Sequence, residues 1–143
     1  MTTTKIGRKV QGIIYSKIDS SIHILCLHRT PEEGGFWQPL TGTVEENETY
    51  KECLVRELHE ETGIEKNQIL DIEGPINSFE WSRNDTLYKE EVYAVYVPSN
   101  LKVVLCEEHD EYKWFTSDYA KEIFRFKEIK DGVDILNEKT KSV

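Results

Sequence analysis

The stretch from Gly42 to Ile64, GTVEENETYKECLVRELHEETGI, constrains this chain more than any other. Glu57, Glu60 and Glu61 stand three and four residues apart, a spacing that puts them on one side of an α-helix. Like charges that close destabilise an isolated helix, and a multivalent cation would relieve the repulsion. Hard cations such as Mg²⁺ take oxygen ligands, so the first reading is a helix that holds divalent metal. Its ends are marked. Thr49 followed three residues later by Glu52 makes a capping box, and Gly63 sits where a left-handed C-terminal residue belongs. Leu54, Val55, Leu58 and the methyl of Thr62 form the stripe that faces a core, with the three glutamates at its border with solvent.

The rest of the chain reads as strands around that helix. Lys9 to Tyr15 and Ile22 to His28 are rich in β-branched and apolar residues, and the polar turn between them suggests a hairpin. Residues 30–35 are a loop by their Pro and Gly content, and Pro39 makes Phe36 to Leu40 an extended edge segment. The alternating run Ile76 to Trp81, within the segment Ile69 to Trp81, pairs across a polar turn with Leu87 to Val97 as a second hairpin. Glu107 to Glu111 is a charged loop, Tyr112 to Phe115 a short strand, and Ser117 an N-cap for a helix to about Phe124. A last helix spans Lys127 to about Glu138, weakened by Gly132, and residues 139–143 are expected to fray.

Length and charge exclude several functions. At 143 residues, the chain reads as one domain spanning 1–143, with enough sequence for a real core. The formal net charge of −9 argues against a nucleic-acid polymer or an anionic membrane as partner, since both want a basic face. There is no apolar run of membrane-spanning length and no apolar leader at the start. Cys26, Cys53 and Cys106 form no CxxC pair, and their odd number reads as reduced, structural and cytoplasmic. No GxSxG and no local Cys–His pairing supports covalent catalysis.

The spacing is more specific than the charge cluster. Gly42, five residues, Glu48, seven residues and then Arg56-Glu57-Leu58-His59-Glu60-Glu61-Thr62-Gly63-Ile64 match the pattern GX₅EX₇REUXEEXGU, where U is a bulky aliphatic. A chance match at one place is roughly one in 10⁹ at ordinary residue usage. The chain thus resembles the Nudix hydrolases. The resemblance implies an α/β fold, an α/β/α sandwich with a mixed β-sheet, and hydrolysis of a phosphoanhydride in a nucleotide-like substrate. Mg²⁺, with Mn²⁺ as a substitute, would neutralise the pyrophosphate, activate a water and orient an in-line displacement. Carried over position by position, Glu57, Glu60 and Glu61 would ligate metal, with Glu57 and Glu61 foremost, and the Gly42 carbonyl would join them. Arg56 would orient a box glutamate, and Glu48 would support that shell from outside. The general base is a box glutamate or a distant one. Glu108 is the distal choice, as base or further metal ligand, with Glu107 as its neighbour. His109 reads as a surface partner of these acids, and His59 is assigned no role.

Two substrate classes compete. Phe36-Trp37-Gln38, Thr41-Gly42, Val44-Glu45 and Glu108-His109 followed by Tyr112-Lys113-Trp114 resemble the dihydroneopterin triphosphate and deoxynucleoside triphosphate pyrophosphohydrolases, the favoured reading. The asymmetric dinucleoside tetraphosphate hydrolases are the alternative, since they carry a similar EH…Y-basic-W run. A non-catalytic nucleotide sensor of the same fold is the alternative of another class. The partner is then a small nucleotide or pterin polyphosphate, bound by a monomer or homodimer. Phe36, Trp37, Trp81 and Tyr88 are candidates for stacking on a base, and Arg8, Lys9, Arg29 and Arg83 for phosphate contacts.

Overall fold

The computed structural model of the chain describes residues 5–141. Its strands are β1 (Lys5–Ile18), β2 (Ser21–Arg29), β3 (Trp37–Gln38), β4 (Leu40–Thr43), β5 (Asp71–Arg83), β6 (Thr86–Tyr96) and β7 (His109–Thr116), and its helices are α1 (Tyr50–Thr62), α2 (Ser117–Ile123) and α3 (Lys127–Thr140). Strand β1 is the spine. It runs parallel to β6 from Lys5↔Thr86 to Tyr15↔Tyr96. On its other edge it changes partner halfway: Lys9–Gly12 pair antiparallel with β4, and Tyr15–Ile18 with β2. Strand β5 adds to β6, while β3 and β7 add to β2, which makes a mixed sheet.

Alternation along β1 assigns the two faces. Val10 and Ile14 point to α1, where they pack with Leu25, Leu27, Leu40, Leu54, Leu58, Tyr93 and Val95. Ile13 points the other way, to Ile24, Cys26, Val92 and Ala94 under Ala120, Val133 and Leu136 of α2 and α3 and Phe124 between them. Two apolar layers, one on each face, give an α/β/α sandwich.

Helix α1 forms where its caps predict. Thr49 Oγ1 accepts from the Glu52 amide at 3.1 Å, the Thr49 amide donates to Glu52 Oε1 at 2.8 Å, and Gly63 has φ 74°. The buried stripe differs from the expected one. Cys53 is buried where Val55 was expected, and Glu61 lies inside the stripe rather than at its border. Gly132 does not break α3, because a Cβ there would lie 3.0 Å from Ile13 Cδ1, so the small residue lets the helix sit close on the sheet.

Other boundaries move for local reasons. Strand β1 starts at Lys5 and ends at Ile18, because β6 and β2 pair with its polar ends. The extended edge segment is two strands separated at Pro39, whose ring nitrogen cannot donate to a ladder. Strand β5 continues through Gly74 and Pro75 with a register shift between Glu73 and Asn77. The cap of α2 is Thr116, not Ser117: its side chain accepts from the Tyr119 amide. Helix α3 continues to Thr140, so part of the segment expected to fray is helical, and residues 142–143 lie outside those described. The stretch read for a leader likewise begins outside them. No helix among the described residues is long and apolar enough to cross a membrane.

Candidate functional site

The split edge of β1 opens a cleft of about 590 Å³ between β4, α1, the end of β2 and the loop before β7. Its lining includes Glu45, Glu57, Glu60, Glu61 and Glu108 against Lys9, Arg29 and Arg56, so five carboxylates face three cationic side chains. Of the candidate site residues singled out from sequence, the fold brings together Lys9, Arg29, Gly42, Arg56, Glu57, Glu60, Glu61 and Glu108.

Each position has a local cause. Strand β4 runs under α1, and a Cβ on Gly42 would come within 2.7 Å of Glu57 Cδ. Only glycine leaves room for that carboxylate against the β4 backbone. Arg56, one residue earlier, holds the corner together. Its Nε donates to Glu48 Oε2 at 2.6 Å and its Nη2 to Glu48 Oε1 at 2.9 Å, a two-point fork. Its Nη1 reaches Glu57 Oε1 at 2.8 Å and Glu60 Oε2 at 3.1 Å. Nη2 also donates to the Thr43 carbonyl at 3.2 Å, tying α1 to the end of β4. The Arg56 fork, and then the Glu45 amide at 2.9 Å, hold the Glu48 carboxyl down at about 2. Arg8 completes the corner by donating to the Glu48 and Glu45 carbonyls.

The three box glutamates are not equivalent. Glu60 is exposed, with 54% of its side chain accessible, whereas Glu57 has 14% and Glu61 8%. Glu61 Oε2 is buried without a hydrogen-bond partner. Burial, and then the neighbouring Glu57 carboxylate, push the Glu61 carboxyl well above the usual range, with Glu108 adding to the effect and Arg29 opposing it. A buried acceptor oxygen without a donor, among further carboxylates and a carbonyl-bearing glycine, is a donor set for a hard divalent cation. Glu57, Glu61, Glu108 and the Gly42 carbonyl could hold it, with Glu60 at the rim.

The acidic loop resolves into two cases. Glu108 lines the cleft, and its carbonyl accepts from the Thr30 amide at 3.1 Å; Glu107 is exposed and outside the lining. His109 is a correction. It is not a surface residue but the first residue of β7, paired with Arg29 and only 4% exposed. Burial, and then the Arg29 charge, lower its imidazole to about 4. Its Nδ1 lies 3.8 Å from Glu61 Oε1, beyond hydrogen-bonding range, and Gln38 Nε2 lies 3.2 Å from its Nε2. Strand parity could not have found it: Glu111 and Lys113 are exposed, and the register shift between His28 and Arg29 turns His109 inward where simple alternation would leave it outside.

The remaining candidates spread. Arg29 lines the cleft, with its Nε on the Glu33 carbonyl at 3.0 Å and Nη2 on Glu33 Oε2 at 2.8 Å. Phe36 lies outside that lining, with Arg125 5.0 Å above its ring. Trp37 packs edge-on to His28 and Phe115 on the opposite face of the sheet. Arg83 is exposed at the tip of the β5–β6 hairpin. Trp81 stacks on Tyr88 with centroids 4.5 Å apart and donates through Nε1 to the buried Glu90 at 2.9 Å. Lys9 links this pair to the cleft, with Nζ 5.2 Å over the Tyr88 ring and 2.7 Å from Thr43 Oγ1. Two further polar residues escaped notice. Gln11 is fully buried with neither amide atom partnered, and Glu90 is buried at the same strand parity. A polar residue at an inward position of an apolar strand was the available signal.

Comparison with known proteins agrees with this geometry. Residues 8–133 match the family model described as NUDIX domain. An octanoyltransferase of Myxococcus xanthus is 36% identical over 111 residues, which is 77% of this chain but 31% of that protein. The asymmetrical bis(5'-nucleosyl)-tetraphosphatase of Rattus norvegicus is 29% identical over 119 residues, covering 80% of this chain and 78% of its own. The dihydroneopterin triphosphate diphosphatase of Haemophilus influenzae is 28% identical over 134 residues, covering 86% and 82%. Among solved structures, a C. elegans Ap4A hydrolase in a binary complex superposes with a TM-score of 0.83 at 21% identity, over 93% of this chain and 96% of that one.

Proposed function

The chain belongs to the Nudix family, and from that premise we propose that it is a Mg²⁺-dependent pyrophosphohydrolase acting on the phosphoanhydride of a nucleoside or pterin triphosphate. The observation that carries this reading is the buried, unpartnered Glu61 Oε2 beside Glu57 in a cleft with an excess of carboxylate. Such a site needs a dication before it can accept a polyphosphate. Glu57, Glu61, Glu108 and the Gly42 carbonyl would hold Mg²⁺, with Glu60 as a rim ligand and Mn²⁺ as a substitute. A dication held by these residues would supply charge neutralisation for the phosphates and activation of water.

The protein's own groups then divide the work. Arg56 fixes the Glu57 carboxylate from behind, so that its orientation does not depend on substrate. Arg29, at the far wall, meets the phosphate chain, with Lys9 on the near side. Glu108 accepts the proton of the attacking water. The Trp81–Tyr88 stack, beside Lys9, flanks the position of the base or pterin.

The alternative substrate, an asymmetric dinucleoside tetraphosphate, is favoured by a specific observation: the rat relative and the C. elegans structure both carry that activity in their names. A substrate panel decides between them. Dihydroneopterin triphosphate, each deoxynucleoside triphosphate and diadenosine tetraphosphate are compared by kcat/KM, with products resolved in ¹⁸O-labelled water. Preference for a triphosphate supports the main reading, and preference for diadenosine tetraphosphate supports the alternative. Tight nucleotide binding without turnover in Mg²⁺ or Mn²⁺ would replace both with a sensor. The reduced cysteines, the acidic charge and the nucleotide chemistry support action in the cytoplasm.

A further inference from the structure

Three donors of different chemistry converge at one wall of the cleft, which Glu61 and Cys106 line and behind which His109 is buried. Glu61 at the end of α1, Cys106 in the loop before β7 and His109 at the start of β7 each offer a ligand atom, and all three atoms lie within 4.8 Å of one another. His109 Nδ1 is 3.8 Å from Cys106 Sγ and 3.8 Å from Glu61 Oε1. The Nδ1–oxygen distance is too long for a hydrogen bond. Both separations are close to the edges of a coordination tetrahedron, which come to roughly 3.4–3.6 Å for the usual zinc bond lengths to nitrogen, oxygen and sulfur.

The surroundings are built for ligation. The His109 side chain is fully inaccessible, and Glu61 Oε2 has no partner. Gln38 touches the far ring nitrogen of His109 at 3.2 Å. With its amide turned end for end, Gln38 would accept a hydrogen bond from that nitrogen and leave Nδ1 free to ligate, as the outer partners of metal-bound histidines do. Thiolate and imidazole select softer ions, whereas Mg²⁺ prefers oxygen alone.

We propose that Glu61, Cys106 and His109 form a second metal site, for a soft divalent cation of the Zn²⁺ class, which shares Glu61 with the magnesium site and inactivates the enzyme when filled. On binding, the Cys106 S–H bond breaks, its proton goes to solvent and a sulfur–metal bond forms. Three protein donors leave one coordination position open to the cleft. The proposal rests on Glu61 being a magnesium ligand, because the inactivation comes from withdrawing that carboxylate.

The experiment uses the full chain, Cd²⁺ as a spectroscopic probe and Zn²⁺ as inhibitor. Cd²⁺ should produce a thiolate-to-metal charge-transfer band that saturates at one equivalent and persists in excess Mg²⁺. Zn²⁺ should suppress Mg²⁺-supported turnover, and the half-inhibiting concentration should rise by at least ~10–100-fold in Cys106→Ser and in His109→Gln. Circular dichroism establishes that each variant is folded, and either one alone suffices. A band of full intensity in Cys106→Ser, or none in the unmodified protein, overturns the site. A normal band with Zn²⁺-insensitive turnover overturns the sharing of Glu61. Failure of the pyrophosphohydrolase reading shows separately, as no turnover without any added soft metal, and leaves the band to decide the site.

Discussion

Arg56 grips Glu48 at two points, Nε to Oε2 at 2.6 Å and Nη2 to Oε1 at 2.9 Å, across the corner where the loop after β4 enters α1. The same guanidinium reaches Glu57 at 2.8 Å. A lysine could satisfy one of these contacts but not the planar set. Arg56→Lys is therefore expected to lower kcat by ~10–100-fold. It should lower unfolding free energy by only about 1–2 kcal/mol, since the pair is partly solvated. Steady-state kinetics and urea titration separate the two effects.

Gly42→Ala tests the close approach of β4 to α1. The new methyl collides with the Glu57 side chain, which must turn aside. Turnover should fall ~10²-fold, the scale of a displaced catalytic group, and Mg²⁺ affinity should fall with it. A variant with full activity would place Glu57 outside the metal set.

The three box glutamates should rank by burial. Glu57→Gln and Glu61→Gln are expected to cost at least ~10³-fold in kcat, as for loss of an essential charge stabiliser. Glu60→Gln, at the exposed rim, should cost distinctly less. Equal losses at all three positions would contradict the difference in their surroundings.

Metal removal should change how stability depends on pH. The Glu61 carboxyl is raised above its ordinary 4.5 by burial and by Glu57, so without metal the folded state holds the proton more tightly than the unfolded chain. That contribution is full below 4.5 and is lost as pH rises through the raised value. Chelator-treated protein should thus lose stability with rising pH relative to Mg²⁺-loaded protein, and Mg²⁺ affinity should increase over the same range. Melting temperatures with and without chelator at a series of pH values give the comparison.

His109 acts in the opposite sense. Its imidazole is lowered by burial from 6.5 to about 4, so the unfolded chain binds the proton first on acidification. Stability from this group is present above 6.5 and lost as pH falls through about 4. His109→Gln should flatten that acid limb, and the difference between the two melting curves isolates it from the opposing slope of Glu61.

What the sequence made legible follows the range of each interaction. Helix α1, its caps, the glutamate spacing and the Arg56 contacts lie within a few turns of one element, and local rules place them. Arg29 and Glu108 reach the cleft because β2 and β7 pair, a contact between residues about 80 positions apart. The family pattern suggested both residues but gave no geometry. His109 looked like a surface group because its acidic neighbours hid the strand that begins at it. Trp37 and Trp81 illustrate the reverse case: aromatic identity marks a large contact surface, and only the strand parity decides which face of the sheet receives it. Cys53 stands in the core stripe where Val55 was expected for a similar reason: Leu54 seats over Gly12, where a Cβ would lie 2.8 Å from its Cδ1, a contact between distant segments.

The change of partner along β1 has a mechanical consequence. Gly42 and the helix that bears Glu57 hang from its first half through β4, whereas Arg29 and His109 hang from its second half through β2 and β7. The width of the cleft is thus fixed by two links, the twist of β1 and the single residue Pro39 that joins β3 on the one arm to β4 on the other.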